Sequence, residues 1–336
     1  MTGPGDGFAI VVSANAKRGG RRVAAQIARA LPGADVRLTK TAREVDAWLS
    51  GLSKSTRCVL AAGGDGTAIA LVNALHRVNH DLPRMGVLPL GTGNAWAHVT
   101  GAPKLYMCLK GLEAASRPDA GTLPVRRFGL IECEGVLTHF AGAGWDAQIL
   151  DDYRTQVSQS KGPSKLLSKS VYGYLAACLL RTVPKTLMNA RPHVIIENLA
   201  DEAWTITADR KLLKLAGVGR GSVLWDGPAS VAGCATCPEL GYGFRAYPFA
   251  ERFLGMMNIR VYDEHTLGAV ANIPALWRGQ HPLRGMHDWF SKAVRMTFSR
   301  PVPLQIGGDA IGTRQSVEYR IFDQEIELLD WRGMPR

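Results

Sequence analysis

Two short runs of this sequence have residue types that can hold a phosphorylated ligand. Gly63-Gly64-Asp65-Gly66-Thr67 follows the apolar stretch CVLAA, and Gly91-Thr92-Gly93-Asn94 follows the apolar stretch MGVLPL. Glycines in such a loop permit a sharp turn and let backbone N–H groups approach a phosphate closely. A helix that starts there adds free N–H groups that favour an anion. An aspartate does not attract phosphate, so Asp65 implies Mg2+ or a sugar hydroxyl as its partner. The second run is weak alone, since Thr and Asn are common turn residues. Paired with the first at the end of an adjacent strand, it can line one nucleotide cleft, because open α/β sheets bind ligands beyond the carboxyl ends of their strands.

The elements around these runs set their positions. Phe8–Ser13, 34–38, 57–61 and 85–88 read as strands, alternating with helical patterns over 19–31, 42–49 and 68–78 and a short helix after Asn94. Thr41 and Glu44 form a capping-box pattern at the second helix. Such alternation predicts a Rossmann-like parallel sheet with helices on both faces. After about residue 121 the pattern changes to short strands at 126–133, 136–141, 193–198, 203–207, 211–218, 229–235, 242–247, 258–263, 294–299, 302–306, 316–322 and 325–329, as in a β-sandwich. Helical pieces at 145–183 and 266–277 interrupt it. The expected division is an α/β nucleotide-binding domain over 1–122 and a β-sandwich domain over 123–336, with the last residues free to return to the first domain.

Composition narrows the class. The chain has 336 residues, 46% hydrophobic and 21% charged, which suits about two globular domains. A net charge of +11 favours anionic partners, or reflects a solvated basic face. No basic-aromatic motif accompanies it, so nucleic acid is not an expected partner. Cys234 and Cys237 form the one CxxC, with no second pair to complete a zinc site. Together with Cys58, Cys108, Cys133 and Cys178 they read as thiols of a reducing cytosol. The N-terminus lacks the features of a signal peptide, and the apolar stretch Val171–Leu180 is too short to span a bilayer. The expectation is a cytoplasmic protein whose membrane contact is peripheral.

GGDGTAIALVNAL and GVLPLGTGNAWAH resemble the two core motifs of the diacylglycerol kinase catalytic-domain superfamily, which includes sphingosine, ceramide and bacterial lipid kinases. Asn15 and Gly19 are similar to the ends of its NPxSG loop, and Gly142-Ala143-Gly144-Trp145-Asp146-Ala147 to its GxGxDA run. The resemblance implies an α/β nucleotide domain followed by a lipid-binding β-sandwich, and transfer of the ATP γ-phosphate to a lipid hydroxyl. It implies that Asn15, Gly63, Gly64, Gly66, Thr67, Gly91, Thr92, Gly93 and Asn94 hold ATP and that Asp65 handles Mg2+ and phosphate. The family's DGE-type turn aligns with Gly307-Gly308-Asp309, which makes Asp309 the implied general base, one methylene shorter than the family's glutamate. Asp146 is either a contact to the lipid head group or a helix-start acid favoured by the dipole.

Departures from the family pattern matter too. A DDGxLD-type segment that binds a structural Mg2+ in many bacterial members aligns with Phe253–Asn258, where Leu254 cannot ligate and Asn258 is neutral, so that metal is expected to be missing. Ala95 after Asn94 resembles the GNA of sphingosine kinases, which leaves sphingoid lipids open beside glycerolipids. From Tyr153 to Ile196 no acid occurs, while Arg154, Lys161, Lys165, Lys169, Arg181, Lys185 and Arg191 do. With Leu166, Leu167, Val171, Tyr174, Leu175 and Leu179 near helical spacing, residues 154–185 read as a basic amphipathic segment for an anionic membrane, or as a solvated helix packed on the sandwich. The alternative functions are an NAD kinase, which also uses GGDGT, and an inactive nucleotide- or lipid-binding protein. The sequence leaves the oligomeric state open.

Overall fold

The computed structural model describes residues 3, 5–14, 20–78, 84–91, 93–160, 173, 176–187 and 190–335. The chain forms two units, Met1–Phe128 with Gln324–Arg336, and Gly129–Asp323. The boundary thus falls at 128/129 rather than 122/123, and the last segment joins the first unit.

In chain order the first unit has β1 (Phe8–Ser13), α1 (Gly20–Ala30), β2 (Asp35–Thr39), α2 (Ala42–Leu49), β3 (Cys58–Gly63), α3 (Asp65–Arg77), β4 (Met85–Pro89), α4 (Ala95–Val99), α5 (Leu105–Ala115) and β5 (Val125–Phe128). The second has β6 (Ile131–Cys133), β7 (Val136–Thr138), β8 (Phe140–Gly144) and α6 (Trp145–Gln159), then a π-helical turn, Cys178–Thr182, that runs into α7 (Val183–Leu187). It continues with β9 (His193–Asn198), β10 (Trp204–Ile206), β11 (Leu212–Lys214), β12 (Val223–Pro228), β13 (Val231–Ala235), β14 (Met257–Tyr262), α8 (Thr266–Ala271), α9 (Ile273–Trp277), β15 (Met286–Ser291), β16 (Ala293–Ile306) and β17 (Asp309–Ile321). The chain then returns to the first unit as β18 (Ile326–Leu329).

The first sheet has the order β2-β1-β3-β4-β18-β5. It is parallel from β2 to β18, and β5 closes it antiparallel to β18. That pairing is why the chain end belongs here. Strand β3 and all of β1 but its last residue, Ser13, are apolar or glycine and buried, as a sheet covered on both faces requires. Val23 and Ile27 of α1 pack on it, as do Leu109 and Leu112 of α5, together with Leu329 and Trp331. At α2 the Thr41 hydroxyl accepts the Glu44 N–H at 3.3 Å, as the capping pattern predicts. The Glu44 carboxylate, however, accepts the N–H of Lys40, one residue before the cap.

The second unit is an antiparallel network with the path β11-β10-β15-β14-β13-β8-β16-β17-β6-β7, with β9 and β12 attached through β16. One core joins Ile131, Ala141, Ile196, Cys234, Ile259, Met296, Leu304 and Tyr319. The strands expected at 294–299 and 302–306 are a single strand with a register shift between Thr297 and Val302, a bulge that absorbs Pro301. Its first half pairs with β9 and its second with β8. Strands β12 and β15 escape the sequence pattern, and 242–247 is not a strand. There the backbone is committed elsewhere: the Tyr247 N–H bonds to Pro238, and the Ala246 carbonyl accepts from Arg260.

Arg260 of β14 and Asp288 of β15 are a buried cross-strand ion pair, 6% and 1% exposed. The guanidinium bonds both carboxylate oxygens, at 2.7 and 2.8 Å, and Asn258 adds a third donor at 3.0 Å. Breaking such a pair leaves an uncompensated buried charge, at a cost of about 3–5 kcal/mol. Arg260→Met should therefore lower stability by about that amount in a denaturant titration, and the double variant Arg260→Met/Asp288→Leu should regain much of it.

Candidate phosphate-binding and acceptor sites

In the first unit Gly63 of β3 stands opposite Pro89 of β4, so the two Gly-rich loops leave the sheet side by side. The Gly63 carbonyl accepts the N–H of Leu90 at 2.9 Å and of Gly91 at 3.1 Å, binding one loop to the other. A Cβ on Gly91 would lie 2.4 Å from the Gly64 Cα, and one on Gly63 would lie 2.1 Å from the Thr67 hydroxyl. A side chain at Gly91 would force the loops apart, and one at Gly63 would collide with Thr67 of α3. Gly64 opens α3 with no side-chain cap, while a Cβ on Gly66 would meet nothing within 4 Å, so the backbone there is open to a ligand. Asn94 adopts the left-handed conformation (φ 55°) and donates to the Gly91 carbonyl at 2.9 Å. Its Oδ1 is buried with no hydrogen-bond partner.

Asp65 spans the two loops. Its Oδ1 accepts the Trp96 N–H at 3.1 Å at the start of α4, supplying an acceptor that Asn94, at the cap, does not. Burial raises its carboxyl pKa, against the lowering by the N–H groups of Ala95 and Trp96 and by the charge of His98. Trp96 is itself fully buried, 4.9 Å from the Phe128 ring, and anchors α4. Gly63, Gly64, Asp65, Gly66, Thr67, Gly91, Gly93 and Asn94 thus all belong to the paired loops. Asn15, Gly19 and Thr92 lie outside the described residues.

The second unit holds the acceptor candidates. Gly142 of β8 pairs with Gln305 of β16, and Asp146, in the first turn of α6, folds back over Gly142. A Cβ on Gly142 would lie 2.5 Å from Asp146 Oδ2, so only glycine lets the carboxylate reach the Gln305 amide, at 3.0 Å. Asp146 Oδ1 is buried and unpaired. Burial raises the Asp146 pKa, opposed by the bond from Gln305. The Tyr247 hydroxyl is pushed well above its ordinary value, by burial first and by Asp146 second.

Gly307 and Gly308, with φ of 58° and 86°, form the two-residue turn between β16 and β17, and Asp309 opens β17. Asp309 is 67% exposed and ion-paired with Arg154 of α6. Arg154 is therefore turned to this turn rather than to an outside surface. Lys185, likewise counted in the basic segment, bonds the buried Asp152, which also accepts from Thr182 at 2.8 Å. Arg181 donates to Gln159. Lys161, Lys165, Lys169, Leu166, Leu167, Val171, Tyr174 and Leu175 lie outside the described residues, as does the side chain of Leu179. Among the described residues no helix is long and apolar enough to cross a membrane.

Sequence reasoning missed Gln305, whose signal is a lone amide inside the apolar run VPLQI, and it missed the ties of Arg154 and Asp152. It aligned Phe253–Asn258 with a metal-binding run of the family and expected no metal there, because Leu254 cannot ligate and Asn258 is neutral. Leu254 is exposed, and Asn258 spends its amide on Asp288, whose charge Arg260 already neutralises. Among the described residues no three His, Cys, Asp or Glu side chains gather as a metal cage. Nucleotide-bound Mg2+ needs no such cage, because it keeps waters and takes one or two carboxylates plus phosphate oxygens. Asp65 offers one carboxylate of that kind. The cysteines are free and buried, and burial pushes the Cys58, Cys108 and Cys133 thiols up to about 12.

The diacylglycerol kinase catalytic domain family matches residues 10–123. The chain is 24% identical to the lipid kinase YegS of Escherichia coli K12 over 235 residues, which are 69% of this chain and 66% of that protein. It thus spans just under two thirds of the curated relative it matches. A crystal structure of a diacylglycerol kinase from Bacillus anthracis superposes with a TM-score of 0.65 at 14% identity, covering 98% of both chains. An NAD kinase from Archaeoglobus fulgidus in complex with ATP gives 0.51 at 12% identity, covering 97% of this chain and 94% of its own. The family match lies within the first unit, and the fold of the whole chain is shared with the Bacillus anthracis diacylglycerol kinase.

The loop contacts predict a contrast between two glycines. Gly91→Ala should destabilise the protein by about 1–3 kcal/mol, the usual range for overpacking. Gly66→Ala sits in open space at a helix start and should leave thermal melting at or slightly above wild type.

Proposed function

We propose that this protein is an ATP- and Mg2+-dependent lipid kinase that phosphorylates a lipid hydroxyl of the diacylglycerol or sphingoid type. The observation that carries the reading is the pair of Gly-rich loops at the carboxyl ends of β3 and β4, joined through the Gly63 carbonyl and Asp65. The family match over residues 10–123 supports it. Gly64, Gly66, Thr67, Gly91, Gly93 and Asn94 would hold the nucleotide, with Thr92 and Asn15 as further contacts. Asp65 would bind Mg2+ and orient the phosphates. Bound Mg2+–ATP would supply the transferable phosphoryl group and neutralise its charge. Phosphoryl transfer needs little more than positioning, electrostatics and a proton acceptor. Asp309 is that acceptor, and the unpaired Asp146 Oδ1 is the oxygen that takes a donor from the lipid head group.

Membrane contact is peripheral in this reading. Leu180 and Leu187 are 74% and 55% exposed around the π-helical turn and α7, and Lys161, Lys165 and Lys169 precede them in sequence. Because Arg154 and Lys185 are bonded to acids within the chain, the electrostatic part of the attraction rests on the three lysines and on Arg181, whose partner Gln159 is neutral, at about 1 kcal/mol each.

Purified protein incubated with radiolabelled ATP and Mg2+ should label one of diacylglycerol, monoacylglycerol, sphingosine or ceramide. Label on NAD, or on no acceptor, would overturn the reading. Asp309→Asn should lower kcat by about 10²–10⁴, the range for a lost general base, with ATP affinity unchanged. Gly66→Ala should abolish the thermal stabilisation given by Mg2+–ATP while the unliganded protein melts normally. Replacing Lys161, Lys165 and Lys169 by Glu should weaken binding to anionic vesicles in a sedimentation assay and raise the KM for vesicle-borne lipid. Turnover of a short-chain, detergent-dispersed substrate should stay near wild type.

A further inference from the structure

The turn that carries Asp309 is made of two glycines, the residues with the most backbone freedom to lose. Left alone, such a turn would let the Asp309 carboxylate wander. Three ties hold it, and two of them lead to α6. The Gly307 N–H donates to the Phe140 carbonyl at 2.9 Å. Gln305, 3% exposed, accepts the Gly308 N–H at 3.0 Å through Oε1 and donates through Nε2 to Asp146 Oδ2 at 3.0 Å. About two turns further along α6, Arg154 donates to the Gly308 carbonyl at 3.1 Å and to Asp309 Oδ1. The middle of α6 is fixed in turn, because the buried Asp152 bonds Thr182 and Lys185.

We propose that Gln305 and Arg154 are positioning residues that clamp the Gly307–Gly308–Asp309 turn to helix α6, with Gln305 coupling the turn to the buried Asp146 carboxyl. The proposal rests on the lipid kinase reading in taking Asp309 as the proton acceptor. Gln305 is the firm half of the clamp, since it is itself buried. Arg154 is the labile half, since it and Asp309 are 44% and 67% exposed. Arg154 occupies Oδ1 and leaves Oδ2 for an incoming hydroxyl. The titratable groups that face Asp146 are Tyr247 and Tyr319, and burial keeps both hydroxyls protonated. The Asp146–Gln305 bond therefore responds to the state of Asp146 itself.

Four variants test the clamp. Gln305→Met keeps the volume and removes both bonds. It should lower kcat by about 10²-fold, the effect of misplacing a reacting group by about 1 Å, with the KM for ATP unchanged. Gln305→Glu keeps the acceptor for Gly308 but sets one carboxyl against another. Its activity should recover as pH falls and a proton is shared with Asp146, whereas Gln305→Met should stay low at every pH. Arg154→Met should reduce kcat less than Gln305→Met, and added guanidinium should restore part of the loss. Amide hydrogen exchange reads the clamp without any activity. The Gly308 N–H should be protected in wild type and in Gln305→Glu, exposed in Gln305→Met, and protected again in Asp146→Asn/Gln305→Glu, where donor and acceptor are exchanged. Unchanged exchange in Gln305→Met would overturn the clamp even if the protein phosphorylated no lipid. Normal kcat with only a lower melting temperature would make Gln305 purely structural and overturn its positioning role.

Discussion

The contact between Gly64 and Gly91 is the constraint on which the rest of the first unit depends. Two strands of a parallel sheet lie about 4.8 Å apart, and loops leaving their ends collide unless their backbones can touch. Here they touch because neither loop carries a Cβ at the point of approach. The Gly63 carbonyl then takes two N–H groups from the second loop, and Asp65 takes another from α4. The two loops are thereby joined into one surface. The same carboxylate that orders this surface is the one that the proposed function assigns to Mg2+. The cost is a carboxyl held in a buried place, and the N–H bonds to it offset that cost.

The second unit solves a similar problem in a different way. Gly142 again removes a Cβ so that a carboxylate can bend back, this time onto a buried amide. The amide passes the constraint to a turn that has little stiffness of its own. In both units an acid at a helix start holds a neighbouring loop. In the first it bonds N–H groups directly, and in the second it acts through Gln305.

Part of the basic charge is tied to acids of the same unit. The net charge of +11 suggests an outward basic face, yet Arg154, Lys185 and Arg260 are each committed to an acid of the same unit. Exposed pairs of this kind contribute about 0–1 kcal/mol and mainly set geometry. The buried Arg260–Asp288 pair differs. It places a permanent cation between β14 and β15, near the segment that aligns with a metal-binding run of the family. With Asn258 bonded to the same carboxylate, the site is closed to a divalent ion by its own hydrogen bonding.

The sequence alone determined the class of the first unit and the residues of its loops. The alternation of buried runs with helical periodicity is a local property, and glycines at strand ends announce close approach without a structure. The strand β1 and the helix α2 appear where their patterns put them. Asp65, Asp146 and Asp309 were legible as acids in special positions, but their partners were not. Whether an aspartate caps a helix, pairs with an arginine or stands unpaired depends on residues that are distant in the chain, such as Trp96, Gln305 and Arg154. Strands β12 and β15 were hidden because the turn-like DGP and the polar MHDW resemble loops, and their pairing with β9 and β14 overrides that local preference. The sequence left the last residues free to return to the first domain, but tertiary structure alone decided the place of β18 between β4 and β5, since an apolar run says that it must be buried but not against which strands.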